Sequence, residues 1–277
     1  MSCQDILVVI DSPEAVAPRL GVAAIIAKSC GARVGGLFAT GYPLSAISGD
    51  MMGSMTLIDA FMTAQRDEAV KVEAAFRAEL ARLQLDGEWL FREADASESV
   101  IGLARLHDLV ILGQPGADAP GGMAALRPEE IVLATGRPVL MVPYAGNFAE
   151  LGRHALVAWN GTREASRALH DAMFLLEKAE VVTVIEVDAT ETDAGLADLN
   201  AAAVAAMLNR RGIAATAEST VSDGLPVADL LLSRAADLGA DVLVMGAWGH
   251  SRLREYVMGG VSRGLFQQMT LPVMMSH

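Results

Sequence analysis

The chain has 277 residues and a formal net charge of −13, and 52% of it is hydrophobic but only 5% aromatic. That length allows one large domain or two of ordinary size, with a core built mainly from Ala, Val, Leu and Met. The acidic balance argues against nucleic acid or an anionic membrane as partner, and no apolar run approaches the ~18 residues that read as a membrane span. Cys3 and Cys30 lack metal-binding spacing, and Ile6–Ile10 is too short for the apolar part of a secretion signal. Free thiols and a cytoplasmic location are therefore expected.

Ile6–Ile10 is an apolar run of strand length that ends at Asp11. Ser12, Pro13 and Glu14 then supply an N-cap, a proline for the first helical position and an early acid. The helix is predicted to reach about Ser29, with Gly31 as its stop, and Arg33–Ala39 reads as a second strand. Apolar strands joined by a helix imply a parallel sheet covered on both faces. Tyr42–Ser54, rich in Gly and Ser, reads as a loop. Leu57–Leu83 reads as a long amphipathic helix with Phe61, Ala69, Val72, Phe76, Leu80 and Leu83 inward. Strands are predicted at Trp89–Glu93, Leu109–Leu112 and Pro138–Val142, with helices at Ser97–Arg105 and before Thr135.

A second series starts with the strand Ala155–Trp159. The turn Asn160-Gly161-Thr162 leads into a helix whose apolar positions keep the 3.6 period. Strands follow at Val181–Val187, Ala215–Val221, Val242–Met245 and Pro272–Met275, with helices at Leu196–Arg211, Pro226–Leu238 and Val261–Met269. The two series are repeats. Gly113 and Gly116 match Gly246 and Gly249 at an offset of 133, and Asp11 matches Asn160 at 149. The expected fold is α/β: two tandem five-stranded parallel-sheet sandwiches of Rossmann-like type. They fall into an N-terminal domain over 1–145 and a C-terminal domain over 153–277.

The chemistry concentrates in Gly246-Ala-Trp-Gly249, followed after nine residues by Gly259-Gly260-Val261-Ser262. Glycines three apart let backbone approach a ligand, and the amides of a helix starting near Val261 favour phosphate. A glycine-rich turn that holds nothing is the alternative reading. In the first half, Leu126 and Arg127 stand where the later glycines belong, and Glu129 and Glu130 place negative charge there. That half is expected to be a degenerate site, leaving one nucleotide per chain.

The Gly-x2-Gly-x9-Gly spacing resembles that of ATP-binding members of the universal stress protein family, where a Ser or Thr follows. Gly260 departs from that pattern, and Ser262 is the nearby hydroxyl. The resemblance covers both halves and implies an adenine nucleotide alpha hydrolase-like fold that takes ATP, with or without Mg. It places Asn160, where the family usually has aspartate, against ribose or base. It places the backbone of Val187 against adenine, Gly246 against ribose, and Ala158 and Met245 beside them. Gly249, Gly259, Gly260, Val261 and Ser262 would surround the phosphates. A regulatory role in stress response follows, and a nucleotide-free scaffold acting through an unknown protein partner is the other reading. An enzyme is disfavoured beyond weak ATP hydrolysis, because no Gly-x4-Gly-Lys-Ser/Thr and no nucleophile–base pair is present. Family members dimerise through their last strand. The matching strands at 138–141 and 272–275 are therefore expected to pair within the chain as a pseudo-dimer, with a homodimer of chains left open.

Overall fold

A computed structural model describes residues 3–41, 51–114, 126–188, 199–247 and 260–277. The N-terminal half runs β1 (Asp5–Val9), a 3-10 turn (Pro13–Ala15), α1 (Val16–Cys30), β2 (Arg33–Thr40), α2 (Met51–Leu83) and β3 (Gly87–Glu93). It continues with α3 (Ala96–Ala104), β4 (Leu109–Gly113), α4 (Pro128–Ala134) and β5 (Val139–Val142). The C-terminal half runs β6 (His154–Trp159), α5 (Arg163–Asp171), α6 (Met173–Leu176), β7 (Val181–Val187) and α7 (Ala201–Arg210). It ends with β8 (Ala215–Thr220), α8 (Val227–Leu238), β9 (Val242–Gly246), α9 (Gly260–Gln268) and β10 (Val273–Ser276).

The strands form one ten-stranded sheet in the order β3-β2-β1-β4-β5-β10-β9-β6-β7-β8. Each half contributes five parallel strands, as the apolar runs predicted. The halves meet where β5 and β10 pair antiparallel, with Leu140 opposite Met274. This is the expected pairing within the chain, and it turns two sheets into one continuous sheet. Open backbone groups at those two edges are thereby satisfied, which an exposed edge would leave free for another chain.

Side chains alternate between the two faces. Ile6, Val8 and Ile10 join a core with α1, α2, α5, α6 and α7, whereas Leu7 and Val9 join one with α3, α4, α8 and α9. Four elements differ from the sequence reading. The helix expected over Leu196–Arg211 begins at Ala201, capped by Asn200, and the helix after Thr162 breaks at Ala172 into α5 and α6. The long helix begins at Met51, inside the expected loop; the rest of that loop, 42–50, lies outside the described residues. The first helix opens with a 3-10 turn capped by Ser12, whose Oγ accepts from Ala15 N at 3.3 Å.

Candidate functional site

In an open parallel sheet, a crevice forms at the carboxyl ends of neighbouring strands whose connections leave on opposite faces. This chain has two such places. After β1 the chain passes to α1 on one face, and after β4 to α4 on the other; β6 with α5 and β9 with α9 repeat the arrangement.

In the C-terminal crevice, Ala158 of β6 lies beside Met245 of β9, and Glu186 of β7 lies beside Trp159. The ends of these three strands therefore bring together Ala158, Asn160, Val187, Met245 and Gly246. Gly260, Val261 and Ser262 form the first turn of α9, and Ser262 is buried. Gly249 and Gly259 lie outside the described residues, as does all of 248–259.

Gly246 is required by packing. A Cβ there would lie 2.5 Å from the carbonyl carbon of Glu164 and 2.9 Å from Ala165 Cα, so the start of α5 rests directly on the end of β9. The amides at that helix start are already engaged. Thr162 caps it, its Oγ1 accepting from Ala165 N at 3.2 Å, a contact of the kind worth about 1 kcal/mol. Glu164 is a buried carboxylate beside the Arg163 guanidinium, 3.0 Å away. Burial pushes its carboxyl up, but the bond from its own backbone amide, Arg163 and the neighbouring His277 outweigh this and hold it below the usual range. The N-terminus of α5, one of the two helices that start at this crevice, is therefore occupied by its own side chains.

Asn160 closes the turn before α5. Its Oδ1 accepts from Thr162 Oγ1 at 2.7 Å and from Thr162 N at 3.3 Å. A backbone N–H can only donate, so it fixes which end of the amide is oxygen. The Nδ2 donors are therefore the end left over for a ligand, whereas an aspartate would offer a second acceptor.

Two polar groups that sequence reasoning passed over lie at the adjoining end of β10. Ser276, almost wholly buried, pairs in register with Gly246, and its Oγ has no partner among the described residues. His277 bonds through Nδ1 to Ala247 O at 2.8 Å, which leaves Nε2 buried and unpartnered among the described residues. No spacing signal marks either residue; each differs from its counterpart in the first half, Val142 and Pro143, by being polar. Among the described residues no cluster of His, Cys, Asp and Glu suits a metal ion, and no helix is long and apolar enough to cross a membrane.

The N-terminal crevice keeps the framework but is filled differently. Arg19 of α1 is 8% exposed; its Nη1 donates to Val9 O at 2.7 Å and its Nη2 pairs with Asp11 at 2.9 Å. A Cβ on Gly113 would lie 2.5 Å from Arg19 Cζ and 2.6 Å from its Nε. Buried Gln114 then ties this end to the second half, donating to Phe266 O at 3.0 Å and accepting from Tyr144 N at 3.2 Å. Arg127, expected at the start of α4, pairs there with Glu130 and Asp95.

The universal stress protein family model matches residues 152–277. No curated protein matches the chain. Among solved structures, 99% of the chain aligns with 96% of a universal stress protein from Archaeoglobus fulgidus, at a TM-score of 0.69 and 19% identity. It likewise aligns over 99% of its length with 92% of a functionally unknown protein from Pseudomonas aeruginosa, at a TM-score of 0.62 and 18% identity. At such identities these structures establish the fold alone. Residues 152–277 thus match the universal stress protein family model, in a chain that shares the fold of a universal stress protein along nearly its whole length.

Proposed function

We propose that the chain binds one adenine nucleotide, ATP with or without Mg, in the C-terminal crevice, and that the bound nucleotide regulates its contacts with a protein partner in stress response. The observation that carries this reading is the convergence of Asn160, Val187 and Gly246 at three adjacent strand ends. It is joined by a helix that starts at the Gly260 end of the glycine motif. Asn160 offers amide donors to ribose or base, the Val187 backbone faces the adenine side, and the α9 amides with Gly249 and Gly259 hold the phosphates. The chain acts as two domains, 1–145 and 153–277, and only the second carries a working site. Free Cys3 and Cys30 fit a reducing cytoplasm.

A nucleotide-free scaffold is the second reading, and one observation favours it: the buried Glu164 carboxylate sits at the crevice rim, where it repels an anion. Titration calorimetry separates the two. Mg-ATP should give a saturating one-site signal with the wild type and none with Gly259→Val, whose branched Cβ blocks the phosphate amides. Absence of heat with both proteins rejects the nucleotide reading.

A further inference from the structure

We propose that the N-terminal crevice is closed by its own side chain. Arg19 is an internal plug standing where a nucleoside would otherwise lie, and its removal opens a second nucleoside site. The inference rests on the reading that crevices of this geometry take a nucleoside, and it concerns the half that lacks the glycine motif.

Three observations converge on Arg19. It is 8% exposed although it carries a full charge, and its guanidinium is held at both ends by the strand terminus it covers, through Val9 O and the Asp11 carboxylate. It lies against Gly113 so closely that a methyl group there would overlap its Cζ and Nε. Its counterpart in the second half, at the same distance beyond Asn160 as Arg19 is beyond Asp11, is Ala168. There it is the backbone at the start of α5, not a side chain, that settles onto Gly246. A buried guanidinium is costly unless fully bonded. Its retention with two fixed partners marks it as a built feature of the crevice rather than a stray surface charge.

The plug also sets what an opened site would accept. Freed of Arg19, the Asp11 carboxylate and Val9 O present acceptors suited to sugar hydroxyls. Arg127 at the start of α4 is neutralised by Glu130 and Asp95, so phosphate gains no free cation from it. The ligand class is therefore a nucleoside rather than a nucleotide.

Equilibrium dialysis of the full chain against adenosine tests this. Arg19→Ala should bind one more adenosine per chain than the wild type, and the added site should favour adenosine over ATP by at least about tenfold. A folded Arg19→Ala, by circular dichroism, with the same stoichiometry as wild type overturns the proposal. If that variant does not fold, Arg19→Gln, which keeps the stem and an amide for Val9 O, is measured by the same two readouts. The C-terminal crevice is read separately by Mg-ATP calorimetry, so failure of that reading shows there, whereas the plug is read only from the difference in adenosine bound by the two proteins.

Discussion

At the end of β4, Gly113 faces the guanidinium of Arg19; at the end of β9, Gly246 faces the backbone where α5 begins. The same fold position is thus used twice, once to admit a charged side chain and once to let a helix start sit on the sheet. In the first half, the acid at the end of the first strand, Asp11, is consumed by an internal ion pair. In the second, Asn160 spends its oxygen on its own turn and retains its donors. A repeated framework fixes where a ligand would lie, and the residues that face inward decide whether there is room for it.

The comparison breaks most severely at Gly246. Gly246→Ala would press a Cβ into the α5 backbone, which cannot swing aside, so a loss of about 3 kcal/mol in urea unfolding is expected. A loss under about 1 kcal/mol would mean that the helix start is not seated on the strand. Gly113→Ala meets a side chain instead, and about 2 kcal/mol is expected in the wild type. In the Arg19→Ala background the same substitution should cost less than half as much. Additive effects in that double-mutant cycle would show that the two residues do not touch.

Glu164 gives a smaller, pH-dependent effect. Its folded-state carboxyl is held below the ordinary glutamate value of 4.5, so its stabilisation is full above that pH and fades as the pH falls through the folded value. Glu164→Gln should therefore lose about 1 kcal/mol at pH 7 and approach the wild type as the solution becomes strongly acidic. A gap that persists unchanged at low pH would remove charge as the cause. Smallest is Asn160: Asn160→Ala deprives Thr162 N and Oγ1 of their acceptor and should cost about 1 kcal/mol or less. Asn160→Asp should stay within about 0.5 kcal/mol of the wild type, because its carboxylate still serves both donors.

Much of this was legible from residues alone. Apolar runs such as Ile6–Ile10 and Val242–Met245 announce buried parallel strands, and the repeat is visible in Gly113 and Gly246. Pairing of the two Pro-Val strands was implied by the family resemblance, with their matching sequences marking which strands would meet. The start of α2 was hidden because Gly53 and Ser54 signal a turn, yet local propensity is a weak prior and the helix runs through them. Arg19 was hidden differently: its place on the inward face of α1 could have flagged it, but its contact with Gly113 joins residues far apart in sequence. The same holds for Glu164 against Gly246 and for Ser276 and His277 at the strand end. Of the expected phosphate residues, Gly260, Val261 and Ser262 begin α9 as their motif position requires, while Gly249 and Gly259 fall outside the described residues.

The most direct measurement is to denature freshly purified protein and count the adenine nucleotides released, by chromatography and mass. About one per chain is expected, held by the C-terminal crevice while Arg19 closes the other. Two per chain would contradict the plug, and none, with no heat on titrating Mg-ATP, would contradict the nucleotide site itself.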